Sequence, residues 1–430
     1  MANVHAAASI IDFEQGFTEN ELYDNLAWLD ENQERIENRM FEQRCGKESH
    51  NKPHLFLYDV TSSYLEGDKN EYAHFGYNRD KKRGKYQIVI GLLCDAKGMP
   101  VTVEVFDGNT QDVKTVSMQL NKISERFGCC RVTFVGDRGM LKSTSLSELS
   151  EYGFSYITAI TKAQIETLIR QGVIEYGLFD TTLCEVEDDG VRYVYRRNPQ
   201  RAEEINYTRQ NKKERIEKLL SDKNVYLAEH SKASLEKALN TVKAKIKALK
   251  VDSWLSVSIS EVSARELSLY VNEDKLEEQS RLDGCYVLKT DLSLEEMGKE
   301  DIHGRYKDLS NVERAFREMK TEQLELRPLH VRRKSSTRAH VFVVMLSYMI
   351  TRELGNLWKE MNLTVQEGLH SLSMLTENYV KMPTGLVMAR VPQASEQNEN
   401  LLKAARVEIP TYFLPAKVDI HTHKQTRKAS

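Results

Sequence analysis

Between residues 55 and 160 the chain alternates short apolar runs with turn signals, a spacing that predicts strands linked by brief helices. Leu55–Thr61 is one such run, interrupted by Asp59. Tyr86–Cys94 reads as a second strand, Asp95–Gly98 as a turn and Pro100–Phe106 as a third strand, which makes a hairpin. Past Thr110, the positions Val113, Val116, Leu120, Ile123 and Phe127 step by three and four, marking a helix that Gly128 ends. Arg131–Val135 is a strand stopped by Gly136–Gly139, Ser143–Tyr152 a short helix and Phe154–Ile160 a fifth strand. The predicted order is β-β-β-α-β-α-β, an α/β pattern.

The flanks differ. Thr18 and Glu21 form a capping box ahead of Leu22, Leu26, Leu29, Ile36 and Met40, predicting a helix over 18–43 with acid on its outer face. Such a helix suits connecting or docking. Residues 165–295 read as an α+β insertion: a hairpin over 181–196, charged helical spacing over 201–250, then strands at 254–258, 267–271 and 285–289. Helices are expected over 303–326, 335–358 and 364–375. After about 392 the pattern fades, and the polar, basic end from Lys417 is expected to be disordered. The segments are thus 1–50, 51–164, 165–298, 299–380 and a tail over 381–430.

Composition narrows the classes. With 40% hydrophobic residues the chain has material for a core, and no apolar run approaches a membrane span. No secretory pattern opens it, and six cysteines without a CxxC pair point to reduced thiols in a cytoplasmic setting. A net charge of −3 says little about nucleic acid, because distribution decides. Two basic stretches stand out. Arg79–Lys85 includes Lys82 and Arg83 and carries one acid, Asp80. Arg327, Arg332, Arg333, Lys334, Arg338 and Arg352 lie in a stretch without any acid. A solvated face is the bland reading of each; contact with a DNA backbone, steeply salt-dependent, is the sharper one.

Three carboxylates stand in unusual places. Asp59 lies inside an apolar strand, where a charge needs a partner or a cation; a structural Asp bonded by Thr61 or Ser62 reads equally well. Asp137 ends the fourth strand between glycines, where open α/β sheets bind ligands, although a plain turn Asp is the simpler account. On a continuous helix, Tyr306, Arg317 and Lys320 fall within about 40° of Glu313, beside a core face of Val312, Phe316 and Met319. An ordinary ion pair of Glu313 with Arg317 explains only two of these four polar residues. Two Asp and a Glu are hard oxygen donors of the kind that Mg²⁺ prefers. Two such ions about 3.5–4 Å apart serve in-line phosphoryl transfer, with cations such as Arg138, Arg317 and Lys320 on the phosphate oxygens.

On these residues the chain resembles the DDE insertion-sequence transposases marked by Y-x2-R-x3-E-x6-K. Tyr306, Glu313 and Lys320 match, while Leu309 stands where the pattern has Arg, leaving Arg305, Lys307 or Arg317 to supply that charge. The Asp59 strand with Thr61 and Ser63 is similar to the family's first-Asp strand, and Gly136-Asp137-Arg138 to its second. The resemblance implies an RNase H-like mixed sheet flanked by helices and interrupted by an α+β insertion before the third carboxylate. It implies Asp59, Asp137 and Glu313 as ligands of two Mg²⁺ or Mn²⁺ ions in DNA strand cleavage and transfer. Tyr306, Arg317 and Lys320 would grip the DNA near the scissile phosphate. It further implies double-stranded transposon ends and target DNA as partners, a homodimer in the synaptic complex, and a bacterial, nucleoid-associated setting. In relatives the insertion covers the site; Trp254 would be a base-stacking candidate there, against ordinary core packing.

Relatives carry a sizeable end-binding region before the first Asp strand, where this sequence has about fifty residues. A truncated, inactive DNA-binding remnant that inhibits transposition is therefore the competing expectation. A haloacid-dehalogenase-like phosphatase would need a second Asp two residues after Asp59, where Thr61 stands.

Overall fold

The computed structural model describes residues 19–46, 52–80, 82, 84–261, 263, 265–321, 323–375, 378–381, 387–390, 394–408 and 412–413. The chain forms two compact units. One comprises Met1–Lys52, Phe56–Cys129 and Ser310–Ser430; the other comprises Pro53–Leu55 and Cys130–Leu309. Among the described residues no helix is long and apolar enough to cross a membrane. Arg83, Thr18 and the tail from Lys417 lie outside the described residues.

The first unit contains an antiparallel meander. Strand β1 (Pro53–Tyr64), which enters this unit at Phe56, pairs with β2 (Gln87–Asp95), and β2 with β3 (Pro100–Phe106). Burial on both faces explains why β2 reads as a continuous apolar run: Gln87 through Cys94 are all buried. The predicted turn forms. Asp95 Oδ1 accepts from the amides of Lys97 and Met99, both at 2.9 Å, and Gly98 takes the φ of +73° that such a turn needs. The expected helix after Thr110 is Asp112–Asn121, continued by a π turn over Lys122–Arg126, with Val116, Leu120, Ile123 and Phe127 buried as the spacing required.

The leading helix runs Glu19–Cys45 and packs against β3 and the helix Lys334–Leu357. Its acid is not all on the outside. Glu37 is wholly buried, paired with Arg126 and accepting from Thr102 Oγ1 at 2.9 Å and Gln33 Nε2 at 2.8 Å. Asp30 takes both ends of the Arg338 guanidinium at 2.7 and 2.5 Å. Buried carboxylates are tolerable here because each meets a cation, and they become the docking contacts.

The helix expected over 303–326 is two helices, Lys299–Lys307 and Leu309–Met319. The break is the single residue Asp308, whose ψ of −15° departs from helical geometry and whose carboxylate pairs with Arg305 at 3.2 Å. After Met319 the chain turns away, with Glu325 at a φ of +51°. Val312, Phe316 and Met319 are buried as foreseen. Beyond the expected Val365–Ser373 helix lie elements the pattern did not announce: strands Asn378–Lys381 and Val387–Arg390, paired antiparallel, and the helix Glu396–Ala404.

In the second unit β4 (Arg131–Gly136) and β5 (Ser155–Ala159) run parallel. The hairpin of β6 (Cys184–Asp188) and β7 (Val191–Arg197) forms as expected. Strands β8 (Leu255–Ile259) and β9 (Leu267–Val271) pair separately, and β10 (Cys285–Thr290) lies antiparallel between β5 and β7. The run β4-β5-β10-β7-β6 is thus continuous, and a boundary near residue 165 falls inside this unit. The helices Pro199–Glu229 and Leu235–Ala248 close over β8 and β9 around Ile216, Val242, Ile246 and Trp254. Trp254 is 3% exposed in that core, so it packs rather than presenting a stacking face. Arg192 bolts β7 to the segment after β10, donating to the carbonyls of Leu292, Ser293 and Met297 and pairing with Glu185 at 2.6 Å. The class is α/β, with a mixed sheet and flanking helices, as expected.

Candidate active site

Asp59 occupies β1 opposite Leu92 and is half-buried, with Oδ1 accepting from the Val60 amide at 2.8 Å. Two residues on, Thr61 shares the strand face of Asp59, because side chains alternate along a strand. Thr61 Oγ1 is an acceptor here. It accepts from Lys320 Nζ at 2.8 Å.

Lys320 directly follows the Glu313 helix, and its ammonium is fully engaged. Besides Thr61 it donates to Ser62 O at 2.6 Å and to Asp80 Oδ1 at 2.8 Å. Asp80 also takes Arg327 at 2.6 Å on Oδ1 and the Tyr64 amide at 3.3 Å on Oδ2. The Lys320 and Asp80 side chains are 10% and 4% exposed. Burial lowers the Lys320 ammonium below the usual lysine range, while the hydrogen-bonded Asp80 carboxylate pulls it back up. An ammonium has three donors, and here all three are taken by oxygens of the protein itself. Pattern reading registered Asp80 only as the lone acid of a basic loop.

Glu313 and Arg317 are exposed on the Leu309–Met319 helix. Leu309, where the signature has Arg, is 9% exposed, apolar and packed at the start of that helix. Arg305 is paired with Asp308, which leaves Lys307 and Arg317 as exposed cations of the three that were considered.

In the second unit Asp137 follows β4 and is exposed; its Oδ1 accepts from the Arg138 amide at 2.8 Å and from the Tyr306 hydroxyl at 3.2 Å. Tyr306 reaches it because its helix, Lys299–Lys307, packs on β4, β5, β7 and β10 through the buried Ile302 and His303. His303 contacts the Tyr286 hydroxyl. Burial raises Tyr286 to about 12 and lowers the His303 imidazole, so this pair is neutral near pH 7. Arg138 is exposed.

The basic stretches divide. Arg338 and Arg352 serve the fold, Arg352 through the carbonyls of Lys97 and Gly98. Arg79 grips Asp112 with distances of 2.6 and 2.7 Å. Lys82, Arg332 and Arg333 are exposed, with the Lys82 ammonium 5.8 Å from the centre of the Tyr64 ring. Among the described residues no three His, Cys, Asp or Glu side chains are gathered into a group that would hold a metal ion.

The family described as "Transposase DDE domain" matches residues 50–350. The chain belongs to this family. The matched span contains Asp59, Asp137, Glu313, Tyr306 and Lys320, together with Arg79–Lys85 and the second basic stretch through Arg338. Among solved structures, this DDE-domain chain is similar to a piggyBac transposase synaptic complex with hairpin DNA. The identity is 9%, covering 87% of this chain and 57% of that one, at a TM-score of 0.37. It is also similar to a Mos1 transposase paired-end complex with the left transposon end: 12% identity, 33% and 43% coverage, TM-score 0.18. The chain spans little more than half of the first and less than half of the second. No curated protein sequence matches it.

Proposed function

We propose that this chain cleaves and transfers DNA strands at the ends of an insertion sequence, with Asp59, Asp137 and Glu313 holding two divalent cations, Mg²⁺ or Mn²⁺. The observation that carries the reading is the transposase family match over residues 50–350, which includes all three carboxylates. The donor set fits such cations: three carboxylates and no thiolate or imidazole. Held by these carboxylates, such ions would supply activation of a water or a DNA 3′-hydroxyl and neutralisation of the departing oxygen.

The protein's part is orientation. Backbone amides of Val60 and Arg138 hold one oxygen each of Asp59 and Asp137, and the Tyr306 hydroxyl adds a second bond to Asp137. Arg138, Arg317, Lys82, Arg83, Arg332 and Arg333 would contact phosphates of the duplex. Residues 51–164 and 299–380 would act as the catalytic core, with 165–298 as an inserted subdomain. Two copies would pair the two ends in the bacterial cytoplasm.

Purified chain with Mg²⁺ or Mn²⁺ and supercoiled DNA carrying the ends should nick it, and Asp59→Asn, Asp137→Asn and Glu313→Gln should each abolish nicking. Activity equal to wild type in all three variants would remove the assignment.

A further inference from the structure

Lys320 sits two helical turns after Glu313, about 10 Å along the axis, and immediately past the last helical residue, Met319. Thr61 and Ser62, which accept from its ammonium, lie two and three residues after Asp59, so the nearer acceptor is about 7 Å from Asp59 along the strand. The bond set therefore links the strand of one carboxylate to the helix of the other inside a single unit. Asp80 completes it. Its carboxylate neutralises Lys320, draws in Arg327 from the segment after the helix and caps the Tyr64 amide at the end of β1. Four stretches of chain thus converge on one buried ionic knot: β1, the basic loop, the end of the Glu313 helix and the segment beyond it.

We infer that the Lys320–Asp80 clamp sets the placement of Asp59 relative to Glu313, making Lys320 and Asp80 positioning residues for cation binding. This rests on the metal-site reading above. The physical reasoning is direct. Charge-assisted hydrogen bonds are the stronger ones, and three of them hold the buried Lys320 ammonium between the strand and the loop. Carboxylate ligands need placement to within about 0.5 Å, and partners behind the ligands supply it. A lysine that gripped DNA would face solvent, as Arg317 does.

The test uses the full chain and Mn²⁺ alone, with bound ion followed by electron paramagnetic resonance, and a separate measurement of affinity for end DNA in chelator. Lys320→Met and Asp80→Asn should each weaken Mn²⁺ binding by about tenfold while DNA affinity in chelator stays within about twofold of wild type. Asp80→Asn keeps the Thr61 and Ser62 acceptors, so it decides the matter where Lys320→Met does not fold. Wild-type Mn²⁺ affinity in both clamp variants, with Asp59→Asn defective, would overturn the clamp alone; loss of DNA affinity in Lys320→Met would point to a phosphate grip instead. Wild-type Mn²⁺ binding in Asp59→Asn would overturn the metal-site reading, and the clamp's role with it.

Discussion

Tyr306 and Lys320 belong to one sequence signature, yet they live in different physical worlds. Tyr306 sits in the second unit on a helix of its own, half-exposed, with its hydroxyl on the exposed Asp137. Lys320 sits in the first unit, 10% exposed, with every ammonium donor committed to protein oxygens. Both contacts join distant segments, but one is open to solvent and the other is a buried ionic knot. Residues that match a single motif need not share a single job, and their surroundings say which job each has.

That contrast can be broken in several ways. The largest effect belongs to the buried side. Asp80→Ala leaves Lys320 and Arg327 facing each other without a counter-charge, and removal of one member of a buried ion pair costs about 3–5 kcal/mol. The urea unfolding midpoint should fall accordingly, and a change below about 1 kcal/mol would mean that the knot is solvated like a surface pair.

The open side should behave oppositely. Tyr306→Phe removes one solvent-accessible hydrogen bond, so stability should move by no more than about 0.5 kcal/mol. The cleavage rate should nevertheless drop by about tenfold, because Asp137 loses an orienting partner. A stability loss matching that of Asp80→Ala would erase the distinction between the two sites.

The smallest effect concerns two histidines, one per unit. Burial lowers both His340 and His303 below the ordinary imidazole value. Among the described residues His340 Nε2 has no hydrogen-bond partner. A histidine with a lowered folded value takes its proton more readily in the unfolded chain. Stability is therefore highest above the unfolded value near 6.5 and declines as pH falls below it, by at most about 1.4 kcal/mol per pH unit for each group. Thermal unfolding between about pH 7.5 and 5.5 should show this decline, and His340→Leu should flatten it. An identical slope in that variant would assign the acid sensitivity elsewhere.

Much of the architecture was legible because it is local. Most of strands β1–β10 announce themselves by short apolar runs, the β6–β7 hairpin by its Asp188-Asp189-Gly190 turn, and the core face of Val312, Phe316 and Met319 by its spacing. The break at Asp308 was not legible. One residue of altered ψ leaves the apolar spacing intact, so the stripe from Tyr306 to Lys320 looked like one helix face when it belongs to two helices. Burial of charge was also hidden. Glu37 finds Arg126 across 89 positions and Asp80 finds Lys320 across 240, distances at which no periodicity signals a partner. The paired strands at 378–381 and 387–390 are four residues each, too short for alternation to register.

The central claim is that Asp59, Asp137 and Glu313 serve the same cations. Substituting Fe²⁺ and generating hydroxyl radicals with ascorbate and peroxide maps the backbone nearest to a bound ion. With end DNA present, the account predicts cuts near residues 59, 137 and 313 that excess Mg²⁺ suppresses together and that Asp137→Asn weakens at all three. Cuts confined to one of these positions, or unaffected by Mg²⁺, would contradict it.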